Sequence, residues 1–119
     1  SENNIIVGHL APYVLRKKQV KIMIVLRRSP YDLIPVYEDR KYDDDKIRDN
    51  VGSEILGIIT NDAIDKFQEK IFQINVSGKT VVEMFEKIMS VIINKKGNEA
   101  VDWLELVRKN NDLGKFFTD

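Results

Sequence analysis

The segment Thr80–Lys95 constrains the fold more than any other part of the chain. Thr80 is followed three residues later by Glu83, and this capping-box pattern lets each side chain accept a backbone N–H that the first helical turn leaves unpaired. Apolar residues then recur at helical spacing over an arc of about 200°, and Gly97 is well placed to end the helix. The arc contains Val81, Val82, Met84, Phe85, Ile88, Met89, Val91, Ile92 and Ile93. Because an ordinary surface helix has a narrower apolar stripe, this pattern predicts a helix covered on two sides, by a sheet and another helix or by a second subunit.

The length and composition predict one domain spanning residues 1–119. There are no cysteines, which excludes disulfides, thiolate zinc sites and iron–sulfur clusters. The N-terminal residues lack the order of a signal peptide, and no apolar run approaches the roughly 20 residues of a membrane span. We therefore expect a cytoplasmic protein, and its preference for Ile, Asn and Lys fits a viral or archaeal source.

Charge is distributed unevenly along a chain whose formal net charge is zero. Residues 1–31 carry six basic side chains and one acidic side chain, whereas residues 32–65 carry ten acidic and four basic ones. No global charge therefore indicates a nucleic acid or a membrane as the partner. The two oppositely charged segments are complementary to each other, which is compatible with self-association.

Four segments have the features of β-strands. Val20–Leu26 is apolar almost throughout, as in a strand buried on both faces near the middle of a sheet, and Ile5–Val7 is a candidate partner strand. Pro35 restricts Leu33–Tyr37, if it is a strand, to an edge. Phe72–Val76 alternates between apolar and polar residues, which predicts a strand with one solvated face.

The remaining regular segments have helical spacing. A helix capped by Asp44 or Asp45 is favoured across residues 46–60, with a short helix followed by a strand, residues 55–60, as the alternative. A further helix is expected after Asn61 or Asp62, and a last one over Asn98–Asn110. The predicted fold is α+β: a small mixed or antiparallel sheet covered mainly on one face by three to four helices, with a helical C-terminal third.

Ser77–Thr80 has the sequence Ser-Gly-Lys-Thr, which is how a phosphate-binding loop ends. The complete pattern requires a glycine where Gln73 stands, inside the predicted strand. The interpretation favoured here is a turn followed by a helix cap. The N–H groups of a helix N-terminus can still bind an anion weakly, with Lys79 assisting.

Other candidate chemistry is sparse. His9 is the only histidine, so it cannot form a multi-histidine metal site, and a structural role is favoured over acid–base catalysis. A cluster of carboxylates could in principle bind Mg²⁺ or Ca²⁺, but its spacing does not match a calcium-binding loop and basic residues are interspersed. These carboxylates are Asp39, Asp43, Asp44, Asp45 and Asp49. We expect a solvated connection there, with no metal and no cofactor.

Two surfaces remain as candidates for binding. Basic residues of the N-terminal third could contact nucleic-acid phosphates, although the two ends of a strand over residues 20–26 would separate them by roughly 25–30 Å. These residues are Arg16, Lys17, Lys18, Lys21, Arg27 and Arg28. Apolar residues near the C-terminus could form a protein interface, with closure of the chain's own core as the simpler alternative for the last two. These residues are Trp103, Leu106, Phe116 and Phe117.

The predicted function is a small non-catalytic interaction or regulatory module that self-associates, as a dimer, or binds another protein. Its basis is the wide apolar faces of the helices predicted over Thr80–Lys95 and Asn98–Asn110, the C-terminal phenylalanines and the complementary charged segments. Nucleic-acid binding through the basic N-terminal third is the alternative. An enzyme that uses His9 or the aspartate connection is the third and least supported class.

Overall fold

The computed structural model describes residues 11–117. In chain order these residues form seven α-helices and two β-strands: α1 Ala11–Val14, β1 Met23–Arg27, α2 Pro30–Asp39, α3 Asp44–Leu56, α4 Ile58–Phe67, β2 Ile71–Asn75, α5 Val81–Asn94, α6 Trp103–Lys109 and α7 Leu113–Phe117. Two short 3₁₀ turns, Lys17–Gln19 and Gln68–Lys70, precede the strands. The α+β class and the helical C-terminal part are confirmed, and no helix within 11–117 is long and apolar enough to cross a membrane.

The sheet has two parallel strands in the described residues, which corrects the prediction of a mixed or antiparallel sheet. Met23 pairs with Ile71 and Arg27 with Asn75, so both strands end at the same edge. Parallel strands need a long crossover connection, and helices α2, α3 and α4 provide it. A pattern of apolar residues does not distinguish parallel from antiparallel pairing, and for this reason the predicted strand direction is wrong.

Helices lie on both faces of the sheet, rather than mainly on one. Met23 of β1 packs with Ala63 and Phe67 of α4 on one face. On the other face, Ile74 of β2 packs with Val91 of α5. Since consecutive strand residues point to opposite faces, β1 contributes apolar side chains to both cores.

A third core lies among α2, α3, α6 and α7. Its buried residues are Val51, Ile55, Trp103, Val107 and Phe116. The edge of the Tyr31 ring meets the Phe116 ring, with 5.6 Å between the ring centroids. The Phe116 side chain therefore closes the core of its own chain.

Local sequence signals account for most helix boundaries. Thr80 accepts a hydrogen bond from Glu83 N while Glu83 Oε1 accepts one from Thr80 N, so the predicted capping box is confirmed. Asp43 caps α3 by accepting from Lys46 N, one residue before the predicted cap. Gly57, with φ of 66°, separates α3 from α4 in a left-handed conformation that favours glycine.

One expected strand and two expected helix starts are wrong. Leu33–Tyr37 lies inside α2, where packing of the neighbouring side chains on the third core accommodates Pro35. Helix α4 begins at Ile58, before the predicted caps at Asn61 or Asp62. The last predicted helix, Asn98–Asn110, begins only at Trp103, because Asp102 is its N-cap. The helix favoured for residues 46–60 is confirmed as α3 and the start of α4, and the strand Ile5–Val7 lies outside the described residues.

Candidate functional site

The carboxyl ends of β1 and β2 meet, and polar contacts join the loops that follow them. Arg27 O accepts a hydrogen bond from Val76 N at 2.8 Å, and Ser77 Oγ accepts one from Ser29 N at 2.7 Å. The loops after the two strands are therefore joined directly. In open α/β sheets, ligands bind in the crevice beyond the carboxyl ends of the strands, so this edge is the candidate site.

The Glu54 carboxylate joins three groups near the end of β1 by hydrogen bonds. Its Oε2 accepts hydrogen bonds from Arg27 Nε at 3.0 Å, from Arg28 N at 3.1 Å and from Trp103 Nε1 at 3.0 Å. The Arg27 guanidinium also donates to Gln73 Oε1 at 2.9 Å and to Glu54 O at 3.2 Å. Only 5 % of the Arg27 side chain is exposed, so the carboxylate neutralises a buried charge.

Arg28 lies next to this network, but its side chain is not part of it. Its backbone is held by Glu54, whereas its side-chain Nε is buried without a hydrogen-bond partner in the described structure. Within residues 11–117 it forms no ion pair. Because Nε is buried, a phosphate or carboxylate would have to bind the terminal nitrogens of this guanidinium.

The turn between α2 and α3 adds cations and aromatic rings near Arg28. Tyr37 and Tyr42 stack with 5.4 Å between ring centroids, and Lys46 Nζ lies 3.9 Å from the centroid of the Tyr42 ring. Burial raises the pKa of the Tyr37 hydroxyl, and the positive charges of Arg40 and Arg28 oppose that rise. Both guanidiniums therefore lie near the Tyr37 hydroxyl, where the negative charge of Glu54 also acts.

The segment Ser77–Thr80 forms a turn and a helix cap, as the sequence interpretation favoured. Gly78 has φ of 68° and its N–H donates to Asp32 Oδ2 at 2.9 Å, so this amide is already paired. Thr80 is occupied by its capping box. Lys79 is exposed beside the turn, and it is the side chain there that could approach an anion.

The residues predicted to bind nucleic acid do not form one patch. Arg27 is buried and paired with Glu54, and Lys17 is paired with Glu69 at 3.1 Å near the other end of β1. The exposed cations among them are Arg16, Lys18 and Lys21, which lie before the strand, and Arg28 is partly buried after it. Only Arg27 and Arg28 belong to the candidate site.

Of the four residues predicted to form a protein interface, two are buried, one is partly buried and one is exposed. Trp103 and Phe116 are 7 % and 3 % exposed and belong to the third core, while Leu106 packs against it. Phe117 is 42 % exposed. An interface at these residues stays a prediction, but Trp103 and Phe116 have packing roles within the chain.

The remaining candidates from the sequence add no chemistry to the site. His9 lies outside the described residues. Within residues 11–117, no group of three or more His, Cys, Asp or Glu side chains is arranged to hold a metal ion. Sequence reasoning missed Glu54, Gln73 and Arg40, because each becomes notable only through contacts between segments far apart in the chain.

Three archaeal proteins are similar to this chain in amino-acid sequence. The chain is 34 % identical over 120 residues to a Methanosarcina barkeri protein described as "Putative adenylate kinase", covering 89 % of this chain and 62 % of that protein. A Methanosarcina mazei protein of the same description is 34 % identical, with 87 % and 55 % covered. A Pyrococcus furiosus protein, again of that description, is 29 % identical, with 88 % and 57 % covered.

These similarities extend over most of the chain but only part of each relative. The chain spans about six tenths of the length of the Methanosarcina barkeri protein. No protein-family model matches the chain. The relatives come from archaea, which agrees with one of the two expected sources.

The comparison contradicts the predicted functions. Its relatives are described as kinases, that is, as enzymes, so the prediction of a non-catalytic interaction module is wrong, as is the alternative of a nucleic-acid-binding protein. The physical reason is visible in the site. Two of the arginines counted as a basic surface instead lie at the carboxyl ends of a parallel sheet, where Arg27 is buried and paired with Glu54.

Proposed function

We propose that this chain forms part of a nucleotide kinase of the adenylate kinase type and contacts nucleotide phosphates at the carboxyl ends of β1 and β2. The similarity to the archaeal relatives carries the proposal, because it covers nearly nine tenths of this chain. Such an enzyme transfers the terminal phosphoryl group of ATP to a phosphate oxygen of AMP. The bond from the γ-phosphorus to the bridging oxygen breaks, a bond to the AMP oxygen forms, and the products are two molecules of ADP.

The position of Arg28 supports the proposal. Phosphoryl transfer requires positive groups that bind the phosphates and stabilise charge as the phosphoryl group moves. Arg28 is fixed at the strand end through its backbone, and its side chain forms no ion pair within residues 11–117. Arg40, whose charge acts on the same tyrosine as that of Arg28, is the second candidate cation.

Glu54 has a supporting role in this proposal. By neutralising Arg27 and holding Arg28 N, it fixes the backbone from which the Arg28 side chain extends. The complete glycine-rich phosphate loop does not occur in the printed sequence, since Gln73 takes the place of its first glycine. The phosphate contacts assigned to this chain are therefore those of arginine side chains.

Nucleotide binding to the 119-residue chain tests the proposal. Isothermal titration with ADP, AMP and ATP–Mg²⁺ should detect binding, and Arg28→Ala should weaken it about tenfold or more, because a charge-assisted hydrogen bond to phosphate is lost. Arg48→Ala is the matched control, because Arg48 faces Asp45 on the surface of α3, and it should bind as the unaltered chain does. Absence of binding by all three nucleotides at millimolar concentration, or equal effects of the two substitutions, would contradict the proposal.

A further inference from the structure

The C-terminal segment, residues 103–117, contains α6, α7 and the loop between them, and it contacts the supports of Arg28 at two places. At the first, Trp103 Nε1 donates to Glu54 Oε2 at 3.0 Å, and the same oxygen accepts a hydrogen bond from Arg28 N at 3.1 Å. Since Trp103 is buried in the third core, helix α6 restrains the carboxylate that holds the Arg28 backbone.

The second contact joins the loop between α6 and α7 to the first turn of α2. Tyr31 Oη donates a hydrogen bond to Asp112 Oδ2 at 2.5 Å and accepts one from Asn110 Nδ2 at 3.1 Å. Partial burial and the hydrogen bond to Asp112 raise the pKa of the Tyr31 hydroxyl, while Asn110 opposes the rise. The hydroxyl therefore stays protonated at neutral pH and keeps its donor directed at Asp112.

Helix α7 holds the same tyrosine by its ring and also packs on α3. The edge of the Tyr31 ring meets the Phe116 ring, and Phe116 is buried. On α3, a Cβ atom at Gly52 would lie 3.4 Å from Phe117 Cε1, so the two helices are in close contact. Because Glu54 follows Gly52 by two residues, the C-terminal segment packs at once on the helix that begins after Arg28 and on the helix that carries Glu54.

The link from Tyr31 back to Arg28 is short and stiff. Only Ser29 and Pro30 separate the two residues. Ser29 is the N-cap of α2: its Oγ accepts from Tyr31 N at 3.2 Å, and its own N–H donates to Ser77 Oγ at 2.7 Å. Pro30 is fully buried, and its ring fixes φ at the first helical position. A displacement of Tyr31 is therefore passed on to the Arg28 backbone.

We infer that Tyr31 and Asp112 are positioning residues for phosphate binding, because their hydrogen bond lets the C-terminal segment set the location of the Arg28 guanidinium. Neither side chain is assigned a contact with the nucleotide, and both act through Arg28. Losing their hydrogen bond should therefore weaken binding less than losing Arg28 does, since the guanidinium remains but is less well placed. The positioning rests on the contacts above, while phosphate as the ligand rests on the proposed function.

The Nε–H group of Arg28 reports the position of this side chain without any nucleotide. Because the nitrogen is buried, its proton should exchange with water slowly enough to give a separate signal in the ¹H–¹⁵N spectrum of the 119-residue chain. Tyr31→Phe removes the hydroxyl and keeps the ring on Phe116. In this variant the signal should shift, and its exchange should quicken by about threefold or more, since the turn beside Arg28 is less restrained.

Tyr13→Phe is the matched control. Tyr13 Oη donates to Asp62 Oδ2 at 2.6 Å, so the control also removes a hydrogen bond from a tyrosine to an aspartate, but this bond joins α1 to α4. The Arg28 Nε–H signal should be unchanged in Tyr13→Phe. An unchanged signal in Tyr31→Phe, or the same change in both variants, would overturn the inference whether or not a nucleotide binds.

Titration with ADP tests whether the effect on affinity passes through Arg28. Tyr31→Phe should weaken binding by about three- to tenfold in the otherwise unaltered chain, and should have no further effect on the residual affinity of Arg28→Ala. A general loss of stability would weaken binding equally in both backgrounds, so equal effects would contradict the inference. If Arg28→Ala itself leaves the affinity unchanged, the proposed function fails, and the Nε–H signal still decides whether Tyr31 positions Arg28.

Substitutions of Asp112 test the same hydrogen bond from its other side, including the case in which Tyr31→Phe does not fold. Asp112→Ala removes the acceptor and should reproduce both effects, and its combination with Tyr31→Phe should add nothing, because the same bond is lost. Asp112→Asn retains an acceptor oxygen and should keep ADP affinity within about twofold of the unaltered chain. A loss in Asp112→Asn as large as that in Asp112→Ala would show that this hydrogen bond does not position Arg28.

Discussion

Replacing Glu54 by alanine should destabilise the protein far more than its partly exposed position suggests. The substitution removes the carboxylate that pairs with Arg27 and the acceptor for Arg28 N and Trp103 Nε1. Removing one partner of a buried ion pair costs about 3–5 kcal/mol, because the other charge remains buried. Arg27 keeps Gln73 Oε1 and the backbone carbonyl of residue 54 as acceptors, so the lower end, about 3 kcal/mol, is expected.

Urea unfolding followed by far-ultraviolet circular dichroism measures this cost. Fluorescence is unsuitable, because the single tryptophan loses its own hydrogen bond in the variant. For a denaturant dependence of about 2 kcal/mol per molar urea, the midpoint should fall by about 1.5 M. Glu105→Ala is the control, since its pair with Arg108 is largely exposed and exposed pairs contribute at most about 1 kcal/mol. If Glu54→Ala lowers the free energy of unfolding by no more than Glu105→Ala does, the buried network around Glu54 does not stabilise the fold.

Two further predictions concern the edge of the sheet and the junction of α3 and α4. The hydrogen bond from Lys87 holds the pKa of the Glu99 carboxyl below its ordinary value of 4.5, with Asn75 N also contributing and burial opposing. Glu99 therefore stabilises the fold above about pH 4.5, and this contribution disappears as pH falls through the lowered pKa. The free energy of unfolding, measured against pH, should fall more steeply below about pH 4.5 in the unaltered chain than in Glu99→Gln. Parallel curves for the two proteins would refute this prediction. Gly57→Ala should destabilise by about 1 kcal/mol, because φ is 66° there while the nearest side-chain atoms leave room for a Cβ, and Gly78→Ala at φ of 68° should cost a similar amount. A neutral or stabilising result in thermal unfolding would show that the left-handed conformation is not retained.

Local signals in the sequence predicted the Thr80 helix cap and the approximate positions of both strands, but not the topology. The Thr80 capping box and the strand near residues 72–76 depend on neighbouring residues, and both are confirmed. The parallel direction of β1 and β2 depends on a crossover through three helices, which no local pattern specifies. Pro35 is instructive, because it led to the expectation that Leu33–Tyr37, if a strand, lies on an edge of the sheet. In the fold, packing of α2 residues against the third core accommodates it.

Part of the uneven charge is paired within one chain. Arg27 of the basic first segment pairs with Glu54 of the acidic second segment inside the same molecule. This pairing distinguishes two adjacent arginines that the sequence presents as equivalent. Because Glu54 neutralises Arg27 and also fixes the backbone of Arg28, the second arginine keeps its charge available at the strand end, where an anionic ligand of a parallel sheet would bind.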